Sequence, residues 1–435
     1  MQLRERLLYS FLPHFSYFSI AIPILHHTMT TPIIITLCSL LLLAYMFDIS
    51  SRLTRIPSVI LLLVLGWAVR QLTGFFGIPI PDLAPLLPAF GTIGLILIVM
   101  EGSLEIEFNA SKFSLIKRSL LIVIIPLVLL AALLSLTFHF AGGVPMKTAL
   151  INAIPFCVIS SAVAIPSVRN LPAHMREFVT YESSLCDIVG VLFFNFFAYN
   201  SVINAASFGH FFFELLIVII ISFVSVLGLS FLLSRIRYHI TFAPIMLLVI
   251  LLYYVSKVYH LPGLIFIMVF GLFLGNLDEL KHYRWIKWFR PQKLDREVVK
   301  FKEITTEATF FIRALFFLIF GFQMNASELL NVATLPWAAG ITVALIGIRW
   351  ATLKVARQPV TPLVFVAPRG LITILLFMSI IPANATPLVN KSLVIQVVIL
   401  SVLIMMVGLM LQRPQSTPPA AGGEDGQIPL HPGQH

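Results

Sequence analysis

The chain has 435 residues, of which 59% are hydrophobic and only 11% charged, with a mean hydropathy of +0.98. Soluble domains carry about 25% charged residues, so this composition excludes an ordinary water-soluble globule and makes lipid the expected solvent. A formal charge of +10 would suit a nucleic-acid partner if it were gathered on one surface, but its spread along the chain argues for membrane topology instead.

About 20 consecutive apolar residues cross a bilayer as a helix, and polar punctuation divides this chain into thirteen such runs. Their approximate bounds are 32–47, 55–73, 87–104, 115–140, 148–168, 178–200, 211–234, 240–258, 261–277, 304–323, 333–353, 361–383 and 392–411. The expectation is an all-α polytopic membrane protein whose membrane domain covers 32–411. Residues 1–31 carry Arg4 and Arg6 ahead of LLYSFLPHFSYFSIAIPILHH, where Pro13, Pro23 and the His26-His27 pair make a poor lipid-facing helix. They read as a peripheral or extra helix, which would be a fourteenth span if it crossed.

One set of loops carries twenty-one Lys and Arg residues, at 52, 55, 112, 117, 118, 169, 176, 235, 237, eight places between 281 and 302, 349, 354, 357 and 413. The opposite set has only Arg70, Lys147, Lys257 and Lys391. By the positive-inside rule the rich side is cytoplasmic, so span 1 starts outside and the C-terminus lies in the cytoplasm, in a membrane of the bacterial inner type. The segment DELKHYRWIKWFRPQKLDREVVKFKE (278–303) interleaves bases with Trp and Phe, as an interfacial helix does, and a solvated linker is the equal alternative. Residues 412–435 are rich in Pro and Gly and read as a disordered cytoplasmic tail. Cys38, Cys157 and Cys186 lie within apolar runs at no metal-binding spacing, so neither a metal site nor a disulfide framework is expected.

A carboxylate at the bilayer centre costs about 2.5–3.5 kcal/mol on insertion scales, so charges inside spans are the functional candidates. Span 6 contains YESSLCD, in which Ser183 and Asp187 are four apart and share a helix face, while Glu182 and Cys186 form the neighbouring stripe. One acid is then free to handle a ligand while the other is tied to a base. Arg369 is the available base, bracketed by Pro368 and Gly370 in span 12. Span 5 has a matching interruption, where Pro155 and Pro166 flank Ser160, Ser161 and Ala162. Broken helices at corresponding places in two halves indicate inverted repeats with the binding site at the break. Taking span 7 as a linker, spans 1–6 and 8–13 are the halves, and spans 5 and 12 are both fifth. Glu101 in span 3 and Arg313 in span 10 are further intramembrane charges. The plain alternatives are a helix–helix hydrogen bond for Asp187, an interfacial place for Glu101, and simple kinks at the prolines.

The segments RIPSVILLLVLGW, MEGSLEI, SSAVAIPSV, YESSLCD, FIRALFFLIFG and PRGLITI, in that order, resemble the monovalent cation:proton antiporter superfamily, most closely NhaP-like sodium/proton exchangers. The resemblance spans nearly all of spans 1 to 13. It implies an NhaA-type antiporter fold with two broken helices crossing near the ion, a homodimer in the membrane lipid, a role in pH homeostasis, and no cofactor beyond the transported cation and proton. Asp187 matches the acid that alternately binds proton and cation, with Ser183 as a hydroxyl ligand and Glu101 close to the ion. Glu182 and Arg369 match a core ion pair, and Arg313 the base of span 10. Cys186 stands where the family carries Asn, and Ser160-Ser161-Ala162 where it carries Thr-Asp-Pro. Both changes remove oxygen ligands that a hard cation prefers, which leaves Na⁺, Li⁺ and K⁺ open.

Alternating-access exchange of a monovalent cation, Na⁺ first, for protons is therefore the expected function. A proton- or sodium-coupled organic anion transporter on the same fold is the main rival, since losing the acid at the span-5 break would let an anion approach a helix N-terminus. No catalytic His, metal cluster or nucleophile motif within the spans supports an enzyme.

Overall fold

The computed structural model describes residues 38–50, 57–77, 80, 83, 85–106, 113–200, parts of 209–228, 242–258, 263–276 and 291–411. The N-terminal segment 1–31, the first half of 278–303 and the tail 412–435 lie outside them. Every regular element among the described residues is helical. Eight helical spans are long and apolar enough to cross a membrane, and shorter apolar helices accompany them.

In chain order the helices are α1 (Cys38–Ser50), α2 (Ser58–Phe75), α3 (Leu86–Glu105), α4 (Phe113–Gly142), α5 (Met146–Cys157), α6 (Ser161–Ser167) and α7 (Ala173–Tyr199). After them come α8 (Phe242–Val258), α9 (Gly263–Gly275), α10 (Pro291–Phe322), α11 (Leu335–Val355), α12 (Leu371–Met378) and α13 (Lys391–Met410). The second half of the loop expected at 278–303 is helical and runs without a break into span 10. Its rows of Lys, Arg and Glu favour helix, and no Pro or Gly intervenes between Pro291 and the apolar part.

Span 5 is interrupted as its prolines require. Pro155 offers no N–H to the Ile151 carbonyl and strains the last turn of α5. Val158 then turns extended (φ −86°, ψ 125°) and so does Ser160 (φ −82°, ψ 112°), after which α6 restarts at Ser161. Span 12 departs further from an ordinary helix, because residues 361–366 form turns and only α12 is helical.

Two packing groups follow. In one, α2, α3, α8, α9 and α10 form a chain of contacts; in the other, α4 packs on α5, α7 and α11, and α11 on α13. The broken elements lie where these groups meet, with α12 touching α3, α5, α7 and α13. Large apolar side chains face outward along α4, among them Leu121, Val128, Leu129, Leu133 and Leu136, as a lipid-facing surface demands. The α2–α10 crossing is close because both helices present glycine. A Cβ on Gly66 would lie 2.2 Å from the Leu318 carbonyl oxygen, and one on Gly321 would lie 2.3 Å from that of Leu63. Small residues at such points let membrane helices gain dispersion contacts that lipid would otherwise supply.

The obstructing atoms are backbone, so they cannot rotate away. Gly321→Ala should therefore lower stability by about 1–3 kcal/mol, read as a fall in the thermal midpoint of the detergent-solubilised protein. Gly340→Ala on α11, where an added Cβ meets nothing within 4 Å, is the control and should not lower it.

Candidate functional site

The site is built from the ends of broken helices. The backbone N–H of Ser160 donates to the carbonyl of Pro368 at 2.9 Å, which ties the break of span 5 to that of span 12. Gly370 makes the approach feasible, since a Cβ there would come within 2.9 Å of both Ser160 Oγ and Val163 Cγ2. Gly190 does the same on α7, where Val158 occupies the space a side chain would need.

Each break frees backbone groups, and buried side chains take them up. Arg369 donates through Nε to the Phe156 carbonyl at 2.6 Å, through Nη1 to Ala367 at 3.0 Å and through Nη2 to Cys157 at 3.4 Å. Its cation thus sits at the C-terminal end of α5, where the helix dipole is negative. Its own N–H donates to Ser401 Oγ on α13 at 2.9 Å. Pro166 cannot bond the Ala162 carbonyl, and Arg313 supplies the missing donor at 3.3 Å. The N–H of Ile159 donates to Cys186 Sγ at 3.2 Å, so the thiol standing in place of an amide still accepts a hydrogen bond from the break.

Asp187 is fully enclosed, about 1% exposed. Its Oδ2 accepts a short hydrogen bond from the Ser161 hydroxyl and a longer one, 3.4 Å, from the Ser161 N–H. The carboxylate therefore meets the first turn of α6. Oδ1 has no hydrogen-bond partner in the protein. Ser183, expected beside it, donates to the Val179 carbonyl of its own helix at 2.7 Å instead. Ser160 lies at the crossing, buried, with its hydroxyl unpartnered.

The expected Glu182–Arg369 pair is not formed. Glu182 is paired with Arg349 of α11, whose Nη1 and Nη2 donate to its two oxygens at 2.7 and 2.9 Å. Arg349 Nε also donates to the Leu363 carbonyl at 2.6 Å, so the pair joins α7, α11 and the turns before the span-12 break. Arg369 is unavailable because three carbonyls hold its guanidinium. The signal for Arg349 was present: it lies inside span 333–353, not in the loop whose basic residues it was grouped with. Moving it to the core leaves the asymmetry of the loops essentially intact. Ser401, Ser184 and Thr373 are further polar residues that sequence reasoning missed; each is buried within a helix, where an isolated hydroxyl carries no pattern.

Glu101 is half-buried on α3, hydrogen-bonded by Thr306, with Arg313, Glu105 and Arg169 as its charged neighbours. It faces α10 and is not in direct contact with Asp187. Among the described residues no group of three or more His, Cys, Asp or Glu side chains is placed to hold a metal ion.

A helical membrane bundle whose two interrupted spans cross beside an enclosed carboxylate defines a secondary transporter of the cation:proton antiporter class. The chain belongs to the sodium/hydrogen exchanger family, whose transmembrane-domain model matches residues 37–414. It is thus an integral membrane protein of a transporter family, not of an enzyme family. Its fold is similar to that of the sodium proton antiporter MjNhaP1 from Methanocaldococcus jannaschii at pH 8, with a TM-score of 0.67, 17% identity, and coverage of 86% of this chain and 98% of that one. An electron-microscopy structure of the same antiporter gives a TM-score of 0.61 at 19% identity, covering 88% of this chain and 95% of that one. A search of curated proteins finds no significant match.

Removing one member of a buried ion pair leaves an uncompensated charge and costs about 3–5 kcal/mol. Arg349→Met should accordingly lower folded yield and the thermal midpoint severely, with Glu182→Gln milder because its side chain is neutral. The double variant Glu182→Leu/Arg349→Met should recover part of the loss of Arg349→Met, as measured by fluorescence-detected thermal unfolding.

Proposed function

We propose that this protein exchanges a monovalent cation, Na⁺ in the first instance, for protons by alternating access, with Asp187 as the group for which the two compete. The observation that supports this most directly is the state of that carboxylate. One oxygen is held at the first turn of α6, while the other is enclosed and unpartnered at the crossing of the broken spans. A bare anion there is costly, so a proton or a cation must accompany it. Exclusive occupancy of one site by either species couples their movements.

The other charges support a one-for-one, electroneutral cycle. Glu182 is neutralised by Arg349, and Arg369 and Arg313 are each engaged by backbone carbonyls. Glu101, beside Arg313, lies on the approach to the site, and Ser160 and Ser161 supply hydroxyls to it. The proposed architecture has spans 1–6 and 8–13 as inverted repeats. In support, corresponding helices make corresponding contacts: α4 with α7 as α11 with α13, and α3 with α10 across the two halves. Two copies would form a homodimer in a bacterial inner membrane with the C-terminus in the cytoplasm.

K⁺/H⁺ exchange remains within the same mechanism. The organic-anion alternative is disfavoured by charge, because the first turn of α6 already faces the Asp187 carboxylate.

Reconstituted into liposomes with a pH gradient, the protein should show cation-driven proton movement with at least one of Na⁺, Li⁺ and K⁺. Asp187→Asn should abolish it while leaving expression and chromatographic behaviour largely intact. Exchange that survives in Asp187→Asn would remove Asp187 from the mechanism, and proton signals evoked only by short carboxylates or bile-acid anions would favour the anion transporter.

A further inference from the structure

Many buried serine and threonine hydroxyls in this protein return their proton to their own helix. Ser103 donates to the Val99 carbonyl, Ser183 to Val179, Thr309 to Thr305 and Thr342 to Ala338. That is the common resolution for a hydroxyl inside a helix, where the carbonyl four residues back is within reach. Ser160, Ser184 and Thr373 do otherwise: all three are buried and none has a hydrogen-bond partner, as is true of Asp187 Oδ1. The two other hydroxyls in this condition, Ser119 and Thr305, lie on α4 and α10 rather than on the crossing elements.

The three oxygens lie around one place. Ser184 precedes Asp187 by one turn of α7, and residues three apart share a helix face. Ser160 adjoins Ser161, whose hydroxyl and N–H hold the other oxygen of Asp187. Gly370 meets Ser160 directly, its Cβ position lying 2.9 Å from Ser160 Oγ. Thr373 is one turn beyond Gly370 on the same stripe of α12. The opposite side of α12 is taken by Leu371 and Leu375, which pack against Gly94 and Gly91 of α3. Hydroxyls from the span-5 break, α7 and α12 are thus arranged about a carboxylate oxygen that lacks a partner.

We propose that Ser160, Ser184 and Thr373, together with Oδ1 of Asp187, form the oxygen shell that receives the dehydrated cation and selects small hard ions, Na⁺ and Li⁺, over K⁺. This rests on the exchange reading above and names its ligands. A hydroxyl suits the task because it both donates and accepts. With a cation present the three turn their lone pairs inward; with Asp187 protonated they rotate and bond to the carboxyl and to one another. Neutral oxygens also leave the charge balance to Asp187 alone. Hard cations favour such oxygen ligands over sulfur, so Cys186 is left to hold the backbone of the break.

The test is a titration of Na⁺, Li⁺ and K⁺ against pH-gradient dissipation in proteoliposomes of the full chain. Ser184→Ala and Thr373→Val should each raise the half-saturating Na⁺ concentration about tenfold, equivalent to about 1.4 kcal/mol, while keeping the maximal rate within about twofold. Thr373→Ser, which retains the hydroxyl, should match the unmodified protein, and Ser184→Cys, which retains volume but replaces oxygen by sulfur, should behave like Ser184→Ala. Unchanged half-saturation in folded Ser184→Ala and Thr373→Val, or a fall in maximal rate alone, would overturn the shell while leaving Asp187 exchange standing. Exchange absent from the unmodified protein with all three cations, or unaffected by Asp187→Asn, would instead overturn the exchange reading, and the shell with it.

Discussion

A helix that stops inside a membrane exposes carbonyls and N–H groups where no lipid atom can bond them, and each such group costs several kcal/mol if left alone. Two spans of this protein stop there, and much of what surrounds them answers that cost. Arg369 takes the carbonyls at the end of α5, Cys186 accepts the Ile159 N–H, and Ser160 bonds across to Pro368. Arg313 fills the place that Pro166 vacates. The crossing is therefore satisfied by the protein, and the polar atoms left over are concentrated around Asp187.

Charge in the core is separated by the same economy. A cation bonded to several carbonyls at a helix C-terminus does not need a carboxylate to be stable there. Glu182 in turn needs a planar, two-pronged donor and finds it in Arg349, whose Nε simultaneously fixes the Leu363 carbonyl. A buried pair of this kind is weak evidence for stability by itself, since desolvation offsets its attraction. Its value lies in geometry: three elements can be joined at this point in one arrangement only. With those charges accounted for, Asp187 is the acid whose proton remains negotiable.

How much of this was legible in the sequence differs from residue to residue. Pro155, Pro166 and Gly370 announced the breaks, because their chemistry is local and independent of what lies nearby. Asp187 stood out because a carboxylate in an apolar run has few bland explanations. The partner of Glu182 was misassigned to Arg369 because pairing depends on which helices adjoin, and the competing demand of the α5 carbonyls on Arg369 is invisible in one dimension. Ser183 was preferred over Ser184 on spacing, yet a hydroxyl four residues before an acid is also placed to bond its own backbone, and here it does.

The sequence by itself determined the solvent, the helical class, the interruption of spans 5 and 12 and the buried acid, all of which follow from side-chain hydrophobicity, proline and glycine stereochemistry and the cost of charge in lipid. Only the tertiary structure decided which base neutralises which acid, which hydroxyls keep an unspent hydrogen bond, and that Ser161 rather than Ser183 holds Asp187. Those outcomes depend on distances of about 3 Å between residues far apart along the chain, and such distances are set by how the helices cross rather than by any segment alone.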